Sequence, residues 1–212
     1  SSLVGSEMCI RDRFLSKDIL QTLCDELNEA GFIQNYKLTQ KGITYLENHK
    51  VDNAIILAAG MSTRFMPLNF EKPKGLLEVN GETLIERQIN QLREKGIDEI
   101  IVVVGYMKEQ FEFLVDKYNV TLVSTDDYAA KNNHASVYAA RKYLKNTIIT
   151  SCDLYFSENI FQKYAFDAYY CTIYVPGKTA ERGIITDSDD KIIKTMYGDK
   201  CCDIWVTLGY AF

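Results

Sequence analysis

Three cations, Arg64, Lys72 and Lys74, follow closely on a run of small residues, Ala58-Ala59-Gly60-Met61-Ser62-Thr63, which ends an apolar stretch beginning at Ala54. Small residues let backbone N–H groups approach phosphate oxygens, and nearby cations neutralise them. The combination suits a nucleoside triphosphate. It is not a Walker loop, because the Gly-Lys-Ser/Thr ending is missing. Two other polar points close apolar runs further on: Gly105-Tyr106 after Ile100–Val104, and Asp153 after Thr147–Ser151. Ligands of a parallel α/β sheet bind beyond the carboxyl ends of its strands. If those runs are parallel strands, all of these residues meet at one edge.

From Asn53 onward the pattern alternates in the way such a sheet requires. Strands are expected at Ala54–Leu57, Glu99–Val104, Val120–Val123 and Thr147–Ser151. Helices are expected between them. Thr83-x-x-Glu86 reads as a capping box opening a helix to Lys95, with Ile85, Ile89 and Leu92 on one face. Lys108–Tyr118 and Ala135–Leu144 read as two more. After Ala168 the pattern turns strand-rich: Ala168–Val175, Gly183–Thr186, Lys191–Tyr197 and Ile204–Phe212, with Asp187–Asp190 a turn.

The 212 residues, 47% hydrophobic and 25% charged, are enough for one substantial core and a small appendage. A net charge of −5 argues against general nucleic-acid binding. No apolar run approaches the roughly 20 residues of a membrane span. Six cysteines lack metal-ligand spacing, and Cys201-Cys202 are adjacent, which points to a reducing, cytoplasmic setting. Cys152 and Cys171 read as small core residues.

The chain divides into 1–13, 14–50 and 51–212. Leu3-Val-Gly-Ser-Glu-Met8-Cys-Ile-Arg-Asp12 matches the translation of a transposase sequencing adapter, so residues 1–13 are set outside the fold. Residues 14–50 read as a helix over Lys17–Ala30, a stop at Gly31, a hairpin through Ile33 and Leu38, and a second helix through Leu46. Ile19, Leu20, Leu23, Cys24 and Leu27 share one face of the first helix. The run from Leu27 through Gly42 to Leu46 resembles the second half of a winged helix-turn-helix. Between Arg13 and Lys50, five Lys/Arg are balanced by five Asp/Glu, which argues against autonomous DNA binding.

Leu57-Ala-Ala-Gly-Met-Ser-Thr-Arg64-Phe-x-Pro67, with Lys72-Pro-Lys74-x-Leu-Leu-x-Val79, resembles the signature of the MobA-like and sugar-phosphate nucleotidyltransferases. Leu84-Ile-Glu-Arg-Gln88, Ile101–Tyr106 and Lys131-Asn-Asn-His-Ala-Ser136 resemble the phosphocholine cytidylyltransferase branch. The resemblance implies a Rossmann-like α/β fold. Its sheet is mixed but mainly parallel, with helices on both faces, of the nucleotide-diphospho-sugar transferase type. It also implies the reaction. A phosphate oxygen of phosphocholine attacks the α-phosphorus of CTP, pyrophosphate leaves and CDP-choline forms.

The same resemblance assigns roles. Arg64 clamps the leaving phosphates and Lys74 steadies charge at the α-phosphate. Leu57, Ala58, Ala59, Gly60, Ser62 and Lys72 contact the nucleotide, as do Asn132, Asn133 and Ser136 near the base. Asp153 binds Mg²⁺, which needs only one or two carboxylates beside phosphate oxygens and water. Asp203 is the only stand-in for a second acidic ligand. Tyr155, Trp205 and Tyr210 are candidates for an aromatic cage around the quaternary ammonium. Each role competes with a plainer one: solvated cation, turn glycine, helix cap or core ring. The run Leu208–Phe212 stops inside a strand-like pattern, so residues 51–212 read as C-terminally truncated, and such relatives carry a fused choline-kinase-like domain that would lie beyond Phe212. Two other functions fit in part: a sugar-1-phosphate nucleotidyltransferase using UTP, dTTP or GTP, and a winged-helix regulator whose second domain senses nucleotides.

Overall fold

The computed structural model describes residues 17–60, 71–126, 133–197 and 202–212. They fall into two compact units. One comprises His49–Ala168 with Gly209–Phe212; the other comprises the chain up to Asn48 with Tyr169–Leu208.

The first of these holds the expected parallel sheet. Beside β3 (Asn53–Ala58) lie β6 (Glu99–Val104) on one side and β8 (Thr147–Ser151) on the other, both parallel to it. β7 (Thr121–Ser124) adds parallel to β6, and the end of β12 (Cys202–Ala211) adds antiparallel to β8. The sheet is therefore mixed but mainly parallel. β3 and β6 are almost wholly buried, as their β-branched apolar runs require of strands covered on both faces.

Register and contacts place the helices. Ile56 stands opposite both Val102 and Thr150, on one face. Helix α3 (Leu84–Glu94) lies on that face, because its Gln88 accepts a hydrogen bond from Thr150. It is joined to α4 (Phe113–Tyr118) through Glu86, which accepts from Lys117 and Tyr118. The opposite face carries Ile55, Ile101 and Val103, packed against Ala139 at the end of α5 (Asn133–Ala139) and against Ala140. The chain runs β3 to β6 to β7 in one direction, then returns past β3 to β8. With right-handed crossovers, that reversal sends the next helix to the other face. The doubly wound arrangement matches the expectation from sequence. Ile85, Ile89 and Leu92 of α3 are fully buried, each stabilising the unit by about 1.5–3 kcal/mol.

Three elements differ from expectation. Lys108–Phe111 is a 3₁₀ turn entered through left-handed Met107 (φ 53°), and the α-helix proper begins only at Phe113. Phe111 and Leu114 are both fully buried, so the tighter turn keeps the apolar face. The expected Ala135–Leu144 helix ends at Ala139, and Arg141–Tyr143 tightens into 3₁₀. The Tyr143 carbonyl there accepts from buried Asn53 Nδ2 at 2.8 Å. Sequence reading also missed the β4–β5 hairpin (Glu78–Val79 and Glu82–Thr83). Its turn, Asn80-Gly81 with φ 55° and 86°, is the commonest short hairpin signal.

In the other unit, α1 (Lys17–Glu29), a short β1–β2 hairpin (Ile33–Gln34 and Lys37–Leu38) and α2 (Gln40–Glu47) occur in the expected order. Thr39 caps α2 by accepting the Gly42 N–H. Along the apolar stripe of α1, Ile19, Leu20, Leu23 and Leu27 are 40–48% exposed. Residues 1–13 lie outside the described residues. β9 (Tyr170–Lys178), β10 (Gly183–Thr186), β11 (Ile192–Met196) and β12 supply the strand-rich part. β11, β10 and β12 pair in that order and β9 pairs β12. Ile204 and Val206 pack there against Ile173, Val175 and Met196. Among the described residues no helix is long and apolar enough to cross a membrane.

Candidate functional site

The winding direction reverses at β3 and β8, and their carboxyl ends form the candidate site. The backbone fastens these ends together. Cys152 N–H donates to Leu57 O at 3.1 Å, and Tyr106 N–H to Ala59 O at 3.2 Å. The three strand ends expected to converge therefore do so. Ala58 and Ala59 are buried, whereas Gly60 is exposed with open space where a Cβ would stand.

Lys74 reaches the same edge through local geometry. Proline at 73 fixes φ at −58° with an extended ψ of 151°, and a 3₁₀ turn over Lys74–Leu76 begins directly after it. Gly75, in that turn, lies against Cys152. A Cβ at Gly75 would stand 3.0 Å from Cys152 Cβ and 3.1 Å from its Sγ. This close approach of two neighbours sets Lys74 beside Asp153, with Nζ 3.2 Å from Oδ2. The lysine side chain is 16% exposed and the carboxylate 38%. A phosphate arriving at this edge meets a half-sheltered ammonium and an accessible carboxylate. Burial pushes the neighbouring Cys152 thiol up to about 12, and the Asp153 charge adds to the shift, so Cys152 is inert rather than nucleophilic.

Other expected residues fall in different places. Arg64, Ser62 and Asn132 lie outside the described residues. Asn133 is the first residue of α5, and Ser136, on the same helix, is buried. Lys72 contacts exposed Glu78 at 3.3 Å. Tyr155 is 38% exposed; its hydroxyl accepts from Asn80 at 3.1 Å and the Arg87 guanidinium lies 4.7 Å from the ring centroid. Tyr210 is not a surface ring. It is 1% exposed and packs edge-to-face on Phe161 and Phe156, because its register opposite Thr150 turns it into the core. Trp205, in the other unit, packs edge-to-face on Tyr174 at 5.6 Å. Asp203 is engaged by the neighbouring strand β9: its Oδ1 accepts the Gly177 N–H at 2.7 Å, which holds its carboxyl below the usual range. Among the described residues no group of three or more His, Cys, Asp or Glu converges as a metal cage. A lone carboxylate beside a bound triphosphate still suits Mg²⁺, which takes most of its ligands from phosphate and water.

Sequence reasoning overlooked the residues that hold this edge. Gln88 interrupts the apolar stripe Ile85, Ile89, Leu92 of α3, and it is fully buried. A polar residue on a core-facing stripe was the available signal. Its Nε2 donates to Ser151 O and Leu154 O, at 2.9 and 2.8 Å, on either side of Asp153.

The chain matches the MobA-like NTP transferase domain over residues 54–195. It is 42% identical over 139 residues to a choline-phosphate cytidylyltransferase of Streptococcus pneumoniae, covering 66% of this chain and 61% of that protein. It is 40% identical over 167 residues to a 2-aminoethylphosphonate cytidylyltransferase of Lancefieldella rimae, covering 77% and 68%. Among solved structures, the CTP:phosphocholine cytidylyltransferase from Streptococcus pneumoniae superposes with a TM-score of 0.69 at 38% identity, over 76% of this chain and 69% of that one. The chain thus spans about two thirds of the length of these relatives. The fold, the strand-end site and the match over residues 54–195 agree: this chain belongs to the MobA-like NTP transferase family.

Proposed function

We propose that the protein carrying this chain is a cytidylyltransferase that moves CMP from CTP onto phosphocholine, or onto a closely similar small phosphate or phosphonate, and releases pyrophosphate. The observation that carries the reading is the Lys74–Asp153 pair at the strand-end switch point, in a chain 42% identical to a choline-phosphate cytidylyltransferase. A second acceptor has specific support. The 2-aminoethylphosphonate cytidylyltransferase matches over a longer stretch at nearly the same identity. Both acceptors place a cationic nitrogen two carbons along from a phosphorus oxyanion group, so one site chemistry serves either. A uridylyltransferase reading has less support: a UTP–glucose-1-phosphate uridylyltransferase of Haloferax volcanii matches over only 26% of the chain.

Nucleotidyl transfer to an ionised phosphate needs no general base. The work is positioning and charge stabilisation. Lys74 lies at the α-phosphate, where its ammonium offsets the charge that grows on the phosphoryl oxygens as the acceptor oxygen attacks in line. Arg64 clamps the departing pyrophosphate through its planar fork of donors. The backbone at Ala59 and Gly60 lies close to the nucleotide, and the amides of Asn132 and Asn133 read the cytosine edge. Asp153 would hold Mg²⁺, whose charge would offset that of the triphosphate. The nucleotide's arrival would draw the Lys74 ammonium from Asp153 to the phosphate and leave the carboxylate open to a cation.

The test is pyrophosphate release by the purified protein with Mg²⁺ and a matrix of donors and acceptors. Activity with CTP and phosphocholine or 2-aminoethylphosphonate is expected. Turnover of UTP with glucose 1-phosphate, without activity on either cationic acceptor, overturns the proposal.

A further inference from the structure

Helix α3 does more than cover the sheet. Five hydrogen bonds from three of its side chains, Arg87, Gln88 and Gln91, run to backbone carbonyls of one segment, Ser151–Ser157, which leaves the end of β8. Gln88 takes Ser151 O and Leu154 O, Arg87 takes Phe156 O and Ser157 O, and Gln91 also takes Phe156 O. Past Ser151 the segment has no regular ladder, so its sheltered carbonyls need donors from elsewhere. The helix supplies them. Only Gln88 brackets Asp153. Its Nε2 spans the carbonyls two residues before and one residue after it, and its Oε1 accepts from Thr150 Oγ1 at 3.2 Å. The amide is fully buried, so its orientation is fixed by these partners and not by water.

We propose that Gln88 is a positioning residue for nucleotidyl transfer: its buried amide clasps the Ser151–Leu154 turn and so holds the Asp153 carboxylate at the triphosphate edge, opposite Lys74. This rests on the role given to Asp153 above. A carboxylate on a loop end must be held to a few tenths of an ångström to serve a bound triphosphate, and such precision comes from the supporting hydrogen bonds. Gln91 shows the contrast. It is on the same helix and also buried, but it touches the segment only at Phe156, three residues beyond Asp153.

Cys152 lies inside the clasped turn, is 8% exposed, and reports its opening without any substrate. Native-state alkylation of Cys152 is followed by peptide mass mapping in wild type, Gln88→Met, Gln91→Met and Thr150→Val. In Gln88→Met, Leu154 O and Ser151 O both lose the amide, and Ser151 O keeps only the Leu154 N–H at 3.3 Å. Cys152 labelling is expected to rise at least about tenfold, through more frequent local opening. kcat for cytidylyl transfer is expected to fall by a similar or larger factor, while KM for CTP changes less. Gln91→Met leaves Cys152 protected. Thr150→Val keeps both donors but frees the amide, and gives the Gln88 effects at smaller amplitude; it carries the test if Gln88→Met fails to fold. Cys152 that stays protected in the folded variant overturns the clasp. Cys152 that opens while kcat holds at the wild-type value overturns the role of Asp153, and the positioning claim with it.

Discussion

Replacing Lys74 with methionine separates chemistry from folding. The substitution keeps an unbranched stem of similar length but removes the ammonium 3.2 Å from Asp153. On the folding side the loss is small. The carboxylate left behind is 38% exposed, so water replaces the lysine, and a pair this accessible contributes about 0.2–1 kcal/mol. On the catalytic side the ammonium faces charge that develops only in the transition state. Removing one such group costs about 3–4 kcal/mol, a factor of about 10²–10³ in kcat. Pyrophosphate release under saturating CTP and acceptor measures the second quantity, and thermal or urea unfolding the first. The reasoning fails if turnover stays within about threefold of wild type, because a preorganised charge in a sheltered site cannot be worth so little. It also fails if stability falls by more than about 3 kcal/mol, which would make Lys74 a buried structural cation.

Two further outcomes follow from the packing. Burial alone would raise the pKa of Glu86, but hydrogen bonds from Lys117, Thr83 and Tyr118 outweigh it and hold the carboxyl below its ordinary 4.5. A depressed folded value means the stabilisation is full above 4.5 and is lost as pH falls through the folded pKa. Glu86→Gln is therefore expected to lower stability by about 1 kcal/mol at neutral pH, with the gap to wild type narrowing as pH falls below 4.5; a gap that does not narrow in acid contradicts this. Tyr210→Ala, which empties the space between Phe156 and Phe161, is expected to cost about 3–5 kcal/mol, against about 1 kcal/mol or less for Tyr155→Ala. Equal unfolding midpoints for the two variants would contradict the core placement of Tyr210.

Much of this protein was legible from residue type and order alone. Apolar runs at 54–57, 99–104 and 147–151, separated by helical periodicity, specify parallel strands, and small residues followed by Lys72-Pro73-Lys74 mark the edge of the candidate site. These are local signals, since burial on both faces demands continuous apolar runs and a proline dictates its own backbone. Even the missed β4–β5 hairpin was written locally, in Asn80-Gly81. What the sequence could not show depended on residues far apart in the chain. The Lys74–Asp153 pair spans 79 positions and exists because Gly75 and Cys152 touch. Tyr210 reads like any of fourteen tyrosines until its pairing opposite Thr150 sends it into the core. Gln88 looks like a flaw in an apolar stripe until the turn around Asp153 arrives to use its amide. Propensity and pattern act within a few residues, whereas hydrogen-bond satisfaction and close packing are settled only when distant segments meet.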